Sequence, residues 1–331
     1  MIVSPASPET PPPPIRRWGA FILLGAVVAV AGVLALLKPQ FATAPNFINV
    51  ARQISITGPL AIGVTFVLLT GGVDLSLGSV AALAGVVAAL CSQPADTSPL
   101  AATAAGVATG AGCGLLNGWA VTRLSVAPFV VTLGAMTAAR GLALVLSGGR
   151  PVSTLSPAFV DIARGDVAGV PYPVLIFAVL SVAAHLFLRH FRLGRYIYAV
   201  GGNEQSAFAA GISVHGVKLA AYALCGLTAG LSGVVLAART TTGQPNAAVG
   251  YELDAIAAAV IGGTSLAGGA GSVGGAGSVG GTLLGATLIG VINNGLDLAN
   301  VPSYYQQIVK GLIIVCAVAL DRRSSRWLAR A

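Results

Sequence analysis

The strongest constraint on this chain is a succession of long apolar runs that few charges interrupt. Hydrophobic residues make up 55% of the 331 residues and charged residues only 8%, against about 25% in ordinary globular domains. A soluble fold could not cover its surface with so few charges. A run of about 20 apolar residues is what an α-helix needs to cross the hydrocarbon core of a bilayer. The sequence therefore predicts an all-α polytopic membrane protein.

The spacing of the runs predicts about ten transmembrane helices. They lie near residues 18–37, 48–70, 76–94, 100–122, 127–147, 171–189, 217–238, 250–265, 278–297 and 304–320. The first run follows Arg16 and Arg17 and is long enough to span, so we interpret it as a helix and not as a cleaved signal peptide. Proline-rich residues 1–17 are expected to form a disordered cytoplasmic tail. Residues 18–321 form the predicted transmembrane domain, and residues 322–331 a basic cytoplasmic tail.

The basic residues predict the orientation of the chain, because cytoplasmic loops carry an excess of Lys and Arg. If the N-terminus is cytoplasmic, eleven basic residues fall inside and four outside. Those inside are Arg16, Arg17, Arg123, Arg189, Arg192, Arg195, Lys218, Arg322, Arg323, Arg326 and Arg330, and those outside are Lys38, Arg150, Arg164 and Arg239. Both termini are therefore predicted to be cytoplasmic. The basic residues form no stripe interleaved with aromatic residues, which argues against nucleic acid as a partner.

Two long loops are candidate interaction surfaces. The outer loop, residues 148–170, is polar and large enough to contact an extracytoplasmic partner. The inner loop, residues 189–217, contains a predicted short helix at residues 203–210, with Asn203 as N-cap, Glu204 at the positive end of the dipole and Gly211 as left-handed stop. A soluble motor could contact such a helix, but an ordinary amphipathic loop helix would have the same pattern.

Glycine predicts how the helices pack. Gly106, Gly110, Gly114 and Gly118 recur every four residues on one face of the fourth helix. Small residues at this spacing let helix backbones approach closely in lipid, where no hydrophobic force drives helices together.

Polar residues near membrane depth are candidates for a translocation path or for structural roles, because a charge there costs about 2.5 to 3.5 kcal/mol on insertion scales. We expect Asp74 to cap the third helix, Glu252 and Asp254 to cap the eighth, and Lys310 to pair with Asp297. Amides and hydroxyls in the helices suit a wet path for a neutral hydroxylated solute. The candidates are Asp74, Ser76, Asn117, Thr132, Arg140, Glu252, Asp254, Asn293 and Asn294.

Other function classes lack their motifs. The glycines from Gly269 to Gly280 fit a dinucleotide fingerprint only because Gly-Gly-Ala-Gly-Ser-Val occurs twice in tandem, and no strand precedes them. No phosphate-binding G-x-x-x-x-G-K-[ST] motif occurs, so any ATP hydrolysis would need a separate subunit. No chain of buried carboxylates and histidines suggests a proton relay. The three histidines are scattered, so no metal site is predicted.

Several ordered motifs together resemble one family. They are residues 69–79 (LTGGVDLSLGS), Asn117-Gly118 with residues 127–134 (APFVVTLG), residues 139–142 (ARGL) with 147–149 (SGG), 199–204 (AVGGNE) with 209–212 (AAGI), 251–258 (YELDAIAA) with 261–266 (IGGTSL), and 293–296 (NNGL) with 306–311 (QQIVKG). The chain resembles the permease subunits of ribose-type sugar ABC importers, the carbohydrate uptake family, over nearly all of residues 45–321. One departure is the tandem glycine repeat, an apparent six-residue insertion.

The resemblance implies a protein of the bacterial inner membrane with no cofactor of its own. A second permease copy, most simply an identical one, would complete the membrane core. A cytoplasmic ATPase would bind ATP and Mg²⁺, and a periplasmic binding protein would deliver the solute. The candidate ATPase coupling residues are then Gly201, Gly202, Asn203, Glu204, Ala209, Gly211 and Ile212. Two alternatives stay open: an ABC permease for a nucleoside or an amino acid, and an ion-coupled secondary carrier.

Overall fold

The structure is a computed structural model that describes residues 15–93, 98–265 and 277–328. Within these ranges the chain forms thirteen α-helices, a 3-10 turn and one small hairpin. The predicted tail up to residue 14 and most of the tandem glycine repeat lie outside the described residues. The elements are α1 (Ile15–Leu37), α2 (Ala44–Leu69), α3 (Leu77–Ser92), α4 (Pro99–Arg123), α5 (Pro128–Ser147), α6 (Pro157–Arg164), β1 (Asp166–Val167), β2 (Val170–Pro171), α7 (Tyr172–His190), α8 (Arg192–Gly202), α9 (Glu204–Ala209), α10 (Val214–Thr240), α11 (Tyr251–Ile261), α12 (Val279–Leu298) and α13 (Ser303–Leu328).

Seven of the described helices are long and apolar enough to cross a membrane, which establishes the polytopic all-α class. They are α1, α2, α4, α5, α7, α10 and α12. Each of the ten predicted spans coincides with a helix, but α3 has only 16 residues and α11 only 11. At 1.5 Å per residue these two helices are about 24 and about 17 Å long. The predicted span at 250–265 is therefore wrong in length, because the helix ends at Ile261.

Two short helices were not predicted, because a short amphipathic helix leaves no long apolar run in the sequence. In the outer loop, α6 buries Phe159 and Ala163 against Val234 and Ala238 near the end of α10. In the inner loop, α8 buries Ile197 in a cluster that includes residues of α2 and α10. Both loops are therefore held against the bundle by helices with one apolar face.

The centre of the bundle is formed by α2, α3, α10 and α11. In the spanning part, 83% of the α2 residues are buried, against 0 to 22% of those in α1, α4, α5 and α7. An apolar helix that other helices surround belongs to the protein core. The apolar surface that the outer helices leave uncovered suits contact with lipid. The central helices therefore form the protein interior, and the outer ones shield it.

The glycines of α4 lie against glycines of α10. A methyl group on Gly110 would come within 2.6 Å of the Cα of Gly230, and one on Gly226 within 2.8 Å of the Cα of Gly114. Both distances are far below a normal carbon contact, so only glycine permits this approach. The two helices are thus packed backbone to backbone, as small residues at a spacing of four allow.

The bundle has two distinct ends. One end, which we name the α9 end, brings together α8, α9 and the beginning of α10, with Val279 of α12 in the same apolar cluster. At the other end, named the α6 end, Val152 and Gly243 form an isolated β-bridge. At 1.5 Å per residue the 27 residues of α10 separate the two ends by about 40 Å.

Candidate functional site

Residues 201–212, the candidate coupling segment, form a compact turn at the α9 end. The Oδ1 atom of Asn203 accepts a hydrogen bond from the N–H of Ser206 at 2.8 Å. Gly211 takes a φ of +81°, in the left-handed region that favours glycine. The predicted short helix, with its N-cap and its glycine stop, is confirmed.

The other residues of the coupling segment divide into an anchoring and an exposed group. Ile212 is half-buried in the apolar cluster of the α9 end, and its N–H donates to the carbonyl of Ala207 at 3.0 Å. Gly201 lies in the last turn of α8, while Gly202 and Ala209 are exposed. The segment is therefore fixed to the bundle on one side and open on the other.

Glu204 is held by a residue of the following helix. The Nζ atom of Lys218, in α10, lies 2.6 Å from Oε2 of Glu204, and 56% of the Glu204 side chain is exposed. An exposed ion pair contributes about 0 to 1 kcal/mol to stability. Glu204 therefore helps to orient α9 on α10, and one of its oxygens is already occupied.

The most prominent apolar group of the segment is Phe208, which sequence reasoning missed. Its ring is 73% exposed. Beside it lies an open cleft of about 490 Å³ lined by Glu204, Gln205, Phe208, Val214 and His215. The signal in the sequence was one aromatic residue in a helix of small and polar ones, EQSAFA. An exposed aromatic ring beside a cleft is a common anchor of protein interfaces.

A first buried polar cluster lies in the turn between α2 and α3. Asp74 is 1% exposed. Its Oδ1 atom accepts from the N–H of Ser76 at 2.8 Å and from the Ser76 hydroxyl at 2.6 Å. The Ser76 Oγ atom in turn accepts from the Asn117 amide at 2.9 Å. Ser76 precedes the first turn of α3, so Asp74 does not cap that helix as predicted. It fixes the turn before the helix.

Thr132 lies near this cluster without joining it. Its hydroxyl donates at 2.9 Å to the carbonyl of Pro128 in its own helix and is 3.5 Å from the carbonyl of Val73. The hydroxyl of Tyr222, in α10, donates to the same Val73 carbonyl at 3.2 Å. Tyr222 is fully buried and was not among the predicted residues. The turn before α3 is therefore held by hydrogen bonds from α4 and α10, with Thr132 of α5 beside it.

A second cluster surrounds the beginning of α11. Arg140, in α5, donates to the carbonyls of Pro245 and Ala247 at 2.5 and 2.8 Å. Glu252 accepts from the N–H of Gly250 at 3.2 Å, so it caps α11 from inside the first turn. A side chain on Gly78, near the beginning of α3, would overlap the Glu252 carboxylate. The beginnings of the two short helices therefore meet inside the bundle.

A third cluster joins α11, α12 and α13. Asp254 is 3% exposed and lies 2.7 Å from the Lys310 Nζ atom. The Asn293 amide donates to the same Asp254 oxygen at 3.4 Å. Asp297 instead accepts from Gln306 at 2.9 Å. The predicted Lys310–Asp297 pair and the predicted capping role of Asp254 are therefore wrong, because a third helix supplies the partner that the linear sequence hid.

Asn294 belongs to a separate contact between α2 and α12. Its amide donates to the Oδ1 atom of Asn46 at 2.9 Å, and the Asn46 amide donates back at 3.0 Å. Both amide groups are thereby satisfied, as buried amides require. Apart from Thr132, the predicted path residues thus form three clusters and one amide pair, and they do not converge on a single pocket.

Within the described residues, no group of three or more His, Cys, Asp or Glu side chains could hold a metal ion. The buried charges are instead paired with cations, amides or backbone groups. Buried polar clusters between apolar helices, with structured segments at both ends of the bundle, are the features of a polytopic membrane protein with a polar interior.

Comparison with known proteins identifies the family. The profile of the family described as "Branched-chain amino acid transport system / permease component" matches residues 46–318, and the chain belongs to this family of permeases. The chain is 44% identical over 302 residues to the ribose import permease protein RbsC of Escherichia coli (strain K12), covering 90% of this chain and 92% of that protein. It is 41% identical to RbsC of Bacillus subtilis (strain 168), covering 94% of each chain.

A third relative carries a different sugar in its name. The D-allose transport system permease protein AlsC of Escherichia coli (strain K12) is 38% identical, over 94% of this chain and 93% of its own. No solved structure matches the chain. The transport role therefore rests on relatives that extend over nearly the whole sequence.

Proposed function

We propose that this chain is the membrane-spanning subunit of a bacterial ATP-driven importer and provides the path for a monosaccharide across the inner membrane. The observation that carries this proposal is the identity of 44% and 41% to ribose import permeases of two bacteria, over 90% and 94% of the chain. As a multi-pass permease, the chain is a transport subunit and not an enzyme.

We infer ten membrane crossings with both termini in the cytoplasm, and in two of them the short helices α3 and α11 cross together with the chain that precedes each. In support, the described basic residues assigned to the cytoplasm, such as Arg189, Arg192 and Lys218, belong to the α9 end of the bundle. Arg150 and Arg164 belong to the α6 end. This charge asymmetry favours a cytoplasmic α9 end. Reporter fusions after residues 123 and 150 test this orientation. If the reporter fused after residue 123 were found in the periplasm, the orientation would be wrong.

The coupling segment is the proposed docking site of a cytoplasmic ATPase that binds ATP and Mg²⁺. Phe208 and the cleft beside it supply a compact apolar anchor on a segment that Ile212 fixes to the bundle. Glu204 and Lys218 orient the helix that carries the ring. A motor that pulled on this segment would therefore act on the bundle directly.

The α6 end is the proposed docking site of the periplasmic solute-binding protein. The exposed side chains there include Arg150, Asp161, Arg164 and Asp166, and Val167 at the hairpin is 55% exposed. Charged rims around apolar groups are typical of specific interfaces. A second, identical copy of the chain is proposed to complete the membrane core.

The three polar clusters are the proposed polar lining and support of the solute path. In transporters, substrate sites are commonly formed where discontinuous helices begin inside the membrane. The short helices α3 and α11 begin inside the bundle, next to Asp74 and Glu252. The neutral hydroxyl groups of a sugar could form hydrogen bonds with these polar groups in turn, and no net charge would cross the membrane.

The family description names branched-chain amino acids, so an amino acid is the second candidate solute. The decisive experiment reconstitutes the chain in vesicles with the ATPase and binding protein that co-purify with it. ATP-dependent uptake of labelled ribose, with competition by D-allose, is the expected result. Uptake of leucine but not of sugars would replace sugar with amino acid, and uptake that followed an ion gradient without ATP would refute the importer.

A further inference from the structure

One hydrogen bond connects the helix before the coupling segment to the end of the tandem glycine repeat. The hydroxyl of Tyr198, in α8, donates to the carbonyl of Gly277 at 2.7 Å. Burial raises the pKa of Tyr198, so the hydroxyl keeps its proton and remains a donor through the physiological pH range. The bond joins residues 79 positions apart. It is therefore a tertiary connection and not part of a local turn.

Gly277 lies where α11 and α12 come together. A Cβ atom on Gly277 would approach the Cα of Thr264, just after α11, within 2.9 Å. The next residue, Ser278, is the N-cap of α12 and accepts from the N–H of Gly281 at 3.1 Å. The acceptor of the Tyr198 hydrogen bond is thus held between the end of one helix and the beginning of the next.

The helices α11 and α12 are themselves closely packed. A Cβ atom on Gly262 would come within 2.5 Å of the Gly281 backbone, and one on Gly285 would overlap the carbonyl of Ala258. Displacement of Gly277 would therefore move both helices together. At their other ends these helices carry Asp254 and Asn293, which contact each other in the third polar cluster.

We propose that the Tyr198 hydroxyl transmits movement of the coupling segment to the α11–α12 pair, as a positioning residue for transport. The inference rests on the proposed function, in which an ATPase moves the α8–α9 segment. The apolar cluster also joins α8 to α12, through Ile197 and Val279. Apolar side chains can slide past each other, whereas a hydrogen bond fixes one donor against one acceptor. Tyr198 therefore supplies the directional part of the contact.

The test compares Tyr198→Phe with Tyr196→Phe in the complete complex of permease, ATPase and binding protein. Tyr196 lies on the same helix, is 39% exposed and has no hydroxyl hydrogen bond within the described residues. Tyr198→Phe keeps the ring and removes only the donor. We expect the ATP hydrolysed per sugar transported to rise about fivefold, the factor that corresponds to one hydrogen bond of about 1 kcal/mol. Tyr196→Phe is expected to match the wild type.

A second measurement keeps the proposal testable if Tyr198→Phe lowers the yield of complex. Amide hydrogen exchange in the first turn of α12 is followed with and without ATP in the complexes that do assemble. The expected result is an ATP-dependent change in the wild type and in Tyr196→Phe that is lost in Tyr198→Phe. An unchanged ATP-to-sugar ratio and exchange response in Tyr198→Phe would overturn the proposal, as would equal effects of both variants.

The same experiment separates this proposal from the proposed function. If the wild-type complex shows no ATP-dependent uptake, the function itself is wrong, whatever the variants do. If wild-type uptake depends on ATP and Tyr198→Phe behaves like the wild type, only the role of Tyr198 is wrong.

Discussion

Replacing Lys310 by methionine should destabilise the protein strongly, because it leaves Asp254 buried without its cation. Lys310 is 26% exposed and Asp254 3%. After the change, the carboxylate oxygen that faced Lys310 keeps only the long 3.4 Å contact with the Asn293 amide. Removing one partner of a buried ion pair costs about 3 to 5 kcal/mol. Because Lys310 is partly exposed, we expect the lower end, a loss of about 3 kcal/mol in the free energy of unfolding.

The assay is reversible unfolding by sodium dodecyl sulfate in mixed micelles, followed by circular dichroism. Combining Lys310→Met with Asp254→Asn removes both charges and should recover most of the lost free energy. Asp297→Asn is the matched control, because Asp297 only accepts a hydrogen bond from Gln306. A loss of free energy below about 1 kcal/mol in Lys310→Met would refute the reasoning. So would a double variant whose loss equals the summed losses of Lys310→Met and Asp254→Asn measured alone.

Three further outcomes are expected. Gly226→Ala should cost about 2 kcal/mol or more, because its methyl group would overlap the α4 backbone. Gly112→Ala, whose added methyl group would meet no atom outside its own stretch of helix within 4 Å, should cause no loss in the same unfolding assay. Phe208→Ala should weaken capture of the ATPase about tenfold or more, as loss of an exposed aromatic anchor does, whereas Gln205→Ala should change the measured affinity little. Arg140→Lys should slow uptake without loss of assembly, since the shorter Lys side chain does not carry its ammonium as far as the Arg140 Nη1 atom, which donates to both carbonyls; an unchanged uptake rate would contradict this role.

The fold class and the helix positions could be predicted because lipid demands long apolar helices, and these leave an unmistakable pattern. The cap at Asn203 and the stop at Gly211 were also predictable, since both act within a few residues of the chain. The end of α11 at Ile261 was missed although the sequence carries a stop signal, since Gly262 and Gly263 follow directly and Gly263 takes a left-handed φ of +95°. The amphipathic helices α6 and α8 were also not predicted, since the apolar face of each contains only a few residues.

The polar contacts could be predicted as a set of residues but not as pairs. Lys310 and Asp297 lie on neighbouring predicted helices, and proximity in sequence suggested their pairing. In the structure Lys310 pairs instead with Asp254, which is 56 positions away in the sequence. Asn46 was missed as the partner of Asn294 because 248 positions separate them. Such contacts depend on which helices become neighbours, and periodicity along one helix carries no information about that.

The glycine contacts between α4 and α10 also limit how the protein can change shape. Helices that pack through larger side chains can shift from one groove to the next. Two helices whose backbones are in direct contact have no such alternative packing. We therefore expect α4 and α10 to behave as one stiff beam about 40 Å long. That beam runs from the coupling segment to the bridge between Val152 and Gly243 on the opposite face. A tilt of this helix pair at the α9 end would therefore also tilt it at the α6 end. The rearrangements that open or close a passage are expected at the helices outside this pair.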